Sequence, residues 1–267
     1  MIIDVHNHIW PDKIAPKINE FFRQQDIGFE PVAPCTLAGL LKNMDEAEVD
    51  KAVILDVALK PEQVEGINTW IMGIQDQRLI PFGAMHPDYR DYKKEIKRLK
   101  DNGIKGIKFQ STWQNCLVDD DRMLRIFEEM GEDMVVFLHA GGSRTKRTVN
   151  IEAPPHRIAH VLDTFPKLKM IAAHFGGNYM IEESKKYLIG RNVYLDTSAP
   201  PTLGTRMDQK TVLELIEGHG VNRIIFGSDF PIGNKKEDVG YLKGLPLSDE
   251  AKERILWKNA EELLQLY

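Results

Sequence analysis

Short apolar runs recur along the chain, separated by longer stretches in which apolar residues fall three or four positions apart. The runs are Ile2-Ile3-Asp4-Val5, Ala52-Val53-Ile54-Leu55, Ile80-Pro81-Phe82-Gly83-Ala84 and Ile104-Lys105-Gly106-Ile107-Lys108-Phe109. Then come Val135-Val136-Phe137-Leu138, Met170-Ile171-Ala172-Ala173, Val193-Tyr194-Leu195 and Ile224-Ile225-Phe226-Gly227. A parallel strand buried on both faces reads in this near-continuous way, because neither side chain direction meets water. The intervening segments carry helical spacing. Leu37, Leu40, Leu41 and Met44 form one stripe, and Ile96 and Leu99 stand among lysines in 92–99. Leu124, Phe127 and Met130 form another stripe, opened by Asp119-Asp120-Asp121, where acidic side chains suit the positive end of a helix. A last helix over 248–266 opens on Ser248-Asp249-Glu250-Ala251, a capping box in form with its glutamate one residue early.

Strand-then-helix alternation, eight times with nothing left over, predicts an α/β fold with parallel strands closed into a (β/α)8 TIM barrel. One domain over 1–267 is expected, since such barrels reach this length as one unit. A GxGxxG turn after the first strand and a phosphate-binding loop are both missing, which counts against an open doubly wound sheet. The first βα connection, from His8 to Ala52, is long. It holds Pro11, Pro16, Pro31 and Pro34 with Trp10, Phe21, Phe22 and Phe29 among them. Two readings stand: a cover over the barrel mouth, or an insertion docked on the surface.

Composition narrows the partners. The apolar fraction of 42% is that of an ordinary globular core. Thirty-five basic and 40 acidic residues, well mixed, give a net charge of −5, so nothing resembles a nucleic-acid footprint. The two cysteines, Cys35 and Cys116, are too few for a disulfide framework and read as free thiols in a reducing compartment. The first residues lack the basic and apolar regions of a signal peptide, and no apolar run reaches spanning length. A cytoplasmic protein with a small-molecule substrate, no nucleic-acid or membrane partner, and a homodimeric state is the expectation.

Barrel active sites lie at the C-terminal ends of the strands, so the residues that end each run carry the chemistry. Strand one ends in His6-Asn7-His8, strand three in His86, strand four in Lys108-Phe109-Gln110, strand five in His139, strand six in His174 and strand eight in Asp229. His6 and His8 are two apart and share one face of the strand. Alone, such a pair is a common polar strand terminus. With His139 and Asp229 it becomes three imidazoles and a carboxylate, the donor set of a catalytic zinc with a position left for water. His174, beside two glycines, is then a candidate general acid/base or an orienter of water, and otherwise a structural histidine. Lys108 could be carboxylated and bridge two ions, could bind a substrate anion, or could snorkel to solvent; a substrate role is preferred. His86, before Pro87, either lines the mouth or caps the next helix. Arg144 and Arg147 could hold a carboxylate or simply be solvated. Trp10, Trp113, Arg144, Arg147 and Ala199-Pro200-Pro201 are the loop residues available to a substrate.

Asp4-Val5-His6-Asn7-His8, Phe137-Leu138-His139-Ala140-Gly141, Ala173-His174-Phe175-Gly176-Gly177 and Phe226-Gly227-Ser228-Asp229-Phe230-Pro231 together resemble the amidohydrolase superfamily, in its amidohydrolase-related branch. The resemblance implies one divalent metal held by His6, His8, His139 and Asp229, with His174 and Asp229 catalytic. In relatives with two ions, a strand-four lysine is carboxylated and His174 becomes a ligand; Lys108 is kept out of the ligand set here. Zinc is the expected ion, with manganese or iron as alternatives. Lys108, Trp113 and Arg144 are the expected substrate contacts. The branch contains hydrolases and non-oxidative decarboxylases similar to aminocarboxymuconate-semialdehyde decarboxylase. Hydrolysis of a small anionic ester, lactone or amide by an activated water is the leading expectation, and decarboxylation the alternative.

Overall fold

The computed structural model describes residues 1–24, 30–142, 152–199 and 203–266. Its strands are β1 (Ile3–His8), β2 (Lys51–Leu55), β3 (Leu79–Pro81), β4 (Gly83–Ala84), β5 (Gly106–Phe109), β6 (Val135–Leu138), β7 (Lys169–Ala172), β8 (Tyr194–Asp196) and β9 (Ile224–Ile225). Chain contacts group into two compact units. The first is Met1–Ile54 with Arg78–Ile80 and Asp196–Tyr267; the second is Leu55–Gln77 with Pro81–Leu195.

In the first unit β1 is the central element. It heads a sheet of order β1-β2-β3. On its other side Val5 N donates to Phe226 O at 2.9 Å and His8 N to Phe230 O at 2.7 Å, with a parallel bridge between Asn7 and Phe230. Ile3 and Val5 are fully buried, as the first apolar run predicts. The long first connection contains helices Ala15–Gln24 and Leu37–Ala47. The second of these starts where Thr36 accepts from Gly39 N, and it buries Leu40 and Met44 of the predicted stripe. The C-terminal helix forms in three parts: Asp249–Glu253, a π turn over Arg254–Lys258, and Asn259–Leu264. Ser248 caps it by accepting from Ala251 N.

In the second unit β4, β5, β6, β7 and β8 pair in that order, all parallel, with Phe109 opposite Leu138 and Leu138 opposite Ala172. Edge-to-face ring pairs fill the core: Phe82 with Phe137 and Phe109 with Phe127. Gly106 is required by this packing, since a Cβ there would sit 2.3 Å from the Phe82 ring. The helix Asp121–Met130, between β5 and β6, begins at Asp120 as predicted and buries Met123, Ile126, Phe127 and Met130.

Two apolar runs are shorter as strands than their sequence suggests. The third divides into β3 and β4, because Pro81 cannot donate to a ladder. Asn68 supplies the missing pairing at Ala84: its Nδ2 donates to Ala84 O at 3.0 Å and its Oδ1 accepts from Ala84 N at 2.7 Å. The last run is a strand only over Ile224–Ile225. Beyond it, Phe226 N turns to Ile255 O and Gly227 N to the Thr197 hydroxyl.

Candidate metal centre

Because strand side chains alternate, Asp4, His6 and His8 share one face of β1. His6 Nε2 lies 3.2 Å from His8 Nε2 and 3.2 Å from Asp229 Oδ1; His8 Nε2 is 3.5 Å from the same oxygen. The tautomer of His6 follows from its other nitrogen. Nδ1 faces Asp196 Oδ2 at 2.8 Å and Ser198 Oγ at 3.2 Å. A carboxylate only accepts, so Nδ1 carries the proton and, in the neutral ring, Nε2 presents an unprotonated lone pair. That lone pair confronts a carboxylate oxygen. Two acceptors at such a distance repel unless something positive lies among them. Donors about 2.0–2.1 Å from a tetrahedral ion stand about 3.3 Å apart, and slightly closer around an octahedral one. The observed spacings fit a divalent ion and do not choose between the two geometries. His6, His8 and Asp229 also form a cluster whose ligand atoms lie within 4.8 Å of one another.

The backbone under this cluster is tied by Asp4, which is fully buried. Its Oδ1 accepts from His6 N and from Ser228 N, both at 3.0 Å, and its Oδ2 accepts from the Ser228 hydroxyl at 2.6 Å. One carboxylate therefore fixes the carriers of both His6 and Asp229. Lys235, also fully buried, brings Nζ to 3.3 Å from Asp4 Oδ2, an ion-pair contact more than an aligned hydrogen bond, and lies 4.2 Å over the Phe230 ring. Burial pushes its pKa down to about 8 against the pull of Asp4. Asp229 does not end a strand. It sits four residues past β9 in a turn with φ of 62°, a left-handed conformation that aspartate tolerates better than most residues and that often marks functional sites. Gly227 is dictated by proximity: a Cβ there would stand 3.0 Å from His6 Cβ and 3.2 Å from Asp196 Oδ2. Trp10 stacks on His8 with ring centroids 6.1 Å apart, and Phe22 meets Trp10 edge-on. The first connection thus covers His8 with an aromatic side chain.

The second unit holds another imidazole pair. His139 follows β6, and its N–H donates to Phe109 O. Its Nε2 lies 3.1 Å from Gly142 O, and its Nδ1 is 3.1 Å from His174 Nε2. A carbonyl only accepts, so His139 carries its proton on Nε2, leaving Nδ1 as the basic nitrogen and His174 Nε2 as the donor to it. Asn178 donates to the same Gly142 carbonyl at 2.8 Å and so holds the group that sets the tautomer. Gly141 is needed here, with φ of 83° and Asn178 N only 2.4 Å from where a Cβ would stand. His174 and Phe175 have φ of 60° and 51°, so the loop after β7 is itself bent into left-handed backbone.

Lys108 lies on β5 at 1% exposure with Nζ 4.4 Å over the Phe137 ring, so it does not snorkel to solvent. Trp113 is half-buried in the short helix Ser111–Gln114 that follows β5. Gln114 in that helix donates to Ala58 O and Met85 O and accepts from Gln110 N, clamping the segments after β2, β4 and β5. His86 accepts from Asp88 N at 3.1 Å through Nδ1, a bond within the turn that precedes helix Tyr92–Asp101 and not a cap on that helix, and burial lowers its pKa while Asp88 opposes that shift. Arg144, Arg147, Phe29, Pro200 and Pro201 lie outside the described residues.

The structure thus brings His6, His8 and Asp229 together in one unit, and His139 and His174 in the other. Asp4, Asp196, Ser198, Lys235 and Asn178 support them and were not singled out by the sequence. Asp196 ends Val193-Tyr194-Leu195 and offered the same strand-end signal as the histidines. Lys235 offered none, because a lysine at a helix start reads as solvated. No helix among the described residues is long and apolar enough to cross a membrane.

A family model described as amidohydrolase matches residues 3–266, and the chain belongs to that family. Gamma-resorcylate decarboxylase from Polaromonas sp. strain JS666 is 25% identical over 120 residues, a stretch covering 40% of this chain and 37% of that enzyme. Among solved structures, a TIM-barrel protein from Bordetella bronchiseptica aligns with a TM-score of 0.71 at 22% identity, covering 99% of this chain and 98% of that one. A dihydroxybenzoic acid decarboxylase from Polaromonas sp. JS666, with bound manganese and the inhibitor 2-nitroresorcinol, aligns with a TM-score of 0.73 at 17% identity, covering 99% and 97%. The fold is that of a TIM barrel, as eight βα repeats predict.

Proposed function

We propose that this member of the amidohydrolase family is a metal-dependent, non-oxidative decarboxylase of a small aromatic or unsaturated carboxylate. The observation that carries the metal reading is the placement of His6 Nε2, set 3.2 Å from His8 Nε2 and 3.2 Å from the Asp229 carboxylate. His139 is the fourth donor in this reading, offered by the sequence motif alone. One divalent ion, manganese or zinc, would supply a Lewis-acid anchor for substrate oxygens. The likeness to a resorcylate and a dihydroxybenzoate decarboxylase supports lyase chemistry above the hydrolysis expected from sequence. The donor set itself serves either reaction.

The chain's own groups divide the work as follows. Asp196 and Ser198 keep the proton of His6 on Nδ1, so Nε2 stays available. Lys108 and Trp113 provide positive charge and an aromatic surface for the substrate, and Arg144 a second cation. His174 carries a proton on Nε2. As the carbon–carbon bond to the carboxylate breaks and carbon dioxide leaves, the electron pair stays on carbon and takes that proton. Solvent then returns a proton to His174.

The test is turnover of dihydroxybenzoates and related aryl carboxylates by protein loaded with manganese or zinc. Carbon dioxide release with one deuterium placed on the product carbon in heavy water is expected. Hydrolysis of esters, lactones or amides without carbon dioxide release would overturn the lyase reading and restore the hydrolytic one.

A further inference from the structure

The least comfortable group in the first unit is Lys235. It is fully buried and stands at the first position of helix Lys235–Gly244, the end that the helix dipole makes positive. Burial and position both disfavour its charge. Its nearest carboxylate is Asp4, 3.3 Å away, and the buried Asp238 on its own helix also favours the charged form. Asp4 in turn accepts from His6 N, Ser228 N and the Ser228 hydroxyl. A surface lysine would leave Asp4 as a lone buried carboxylate, at a desolvation cost that loosens its hold on those three donors.

We propose that Lys235 is a positioning residue for the metal centre, acting through Asp4 to hold the backbone of His6 and of the Ser228–Asp229 turn in register for a shared ion. It touches neither substrate nor metal. The inference rests on the metal reading given above. Its content is charge balance: the centre needs Asp4 as an acceptor, and Asp4 needs Lys235 to remain one.

The test compares metal affinity across wild type, Lys235→Met, Asp4→Asn and the double variant. Each is stripped of metal, confirmed folded by circular dichroism, and titrated with manganese and with zinc well below its melting temperature. Lys235→Met should weaken binding about 10–100-fold, the range typical of groups that orient metal ligands. The double variant should recover most of that loss. The side-chain amide introduced by Asp4→Asn still offers one oxygen to both His6 N and Ser228 N, and no unpaired charge remains buried. Should Lys235→Met fail to fold, Lys235→Gln takes its place, keeping a donor to Asp4 without the charge. A purely structural lysine would lower melting temperatures and leave affinity unchanged, which would overturn the inference. A double variant as weak as Lys235→Met would overturn it equally. Wild type that binds neither ion sinks the metal reading and this inference together, whereas wild-type binding matched by Lys235→Met sinks this inference alone.

Discussion

Removing the carboxylate of Asp196 isolates the role of the His6 tautomer. In the folded protein the His6 side chain is 1% exposed, with Nδ1 2.8 Å from Asp196 Oδ2, and Asp196 Oδ1 also accepts from Ser198 N at 3.0 Å. Asp196→Ala leaves the buried imidazole N–H with only the more distant Ser198 hydroxyl as acceptor, and takes from the buried Ser198 N–H the carboxylate that accepts it. Each unsatisfied donor costs about 1–3 kcal/mol. Metal binding feels a different part of this loss. Without Asp196 the ring can place its proton on Nε2, which must be unprotonated to bind an ion, and it can rotate. Partners of this kind change metal affinity about 10–100-fold, equivalent to about 1.4–2.7 kcal/mol. Asp196→Asn keeps an oxygen for Nδ1–H and loses only the charge, so it should fall at the lower end. The assay is competition between the metal-free protein and a chromophoric chelator for zinc and for manganese, at a single pH of about 7.5, where an ordinary imidazole is neutral. Thermal melts of the same metal-free samples separate folding from binding. Undiminished affinity in a folded Asp196→Ala protein would refute the argument, because it would mean that His6 needs no partner to present Nε2.

Three further outcomes are expected. Metal at about 100 times its dissociation constant should stabilise the fold by about 2.7 kcal/mol and raise the melting temperature by about 5–10 °C, reversed by chelator; a flat thermal-shift profile would count against a resident ion. Gly227→Ala would press a methyl toward His6 and Asp196, at 3.0 and 3.2 Å, and should weaken metal binding about tenfold, read in the same competition assay. In the second unit, burial pushes the Glu95 carboxyl up, but hydrogen bonds from Arg98 and Asn68 outweigh it and hold the pKa below the usual value. A depressed folded-state carboxyl contributes stability that is fully present above the unfolded value of about 4.3 and is lost as pH falls through the folded one. Glu95→Gln should therefore lower the urea midpoint at about pH 7, with the difference from wild type narrowing toward about pH 3.

What was legible in the sequence, and what was not, follows from how each kind of residue declares itself. The strands β1, β2, β5, β6, β7 and β8 announced themselves because a strand covered on both faces has no polar positions to hide it. The run at 80–84 misled in detail: apolar character continues through Pro81, but the ladder does not, and only the fold shows Asn68 completing the pairing at Ala84. Histidines at strand ends stood out because several of them, taken with Asp229, match the donor set of a metal ion. The residues that make those imidazoles usable did not stand out, because their value lies in distance across sequence. Asp4 looks like a polar interruption of an apolar run until Ser228 hydrogen-bonds to it across 224 positions. Lys235 looks like any lysine opening a helix until its burial is seen. This asymmetry has a physical origin. A metal ligand is chosen for its own chemistry and carries that chemistry in its name, whereas a supporting residue is chosen for what it does to a neighbour. Substitutions at the supporting positions are therefore the sharper probe of this centre. Loss of His6 would remove a ligand of the proposed ion whatever supports it, but recovery of affinity in an Asp4→Asn/Lys235→Met protein is expected only if a buried charge pair holds the proposed ligands in place.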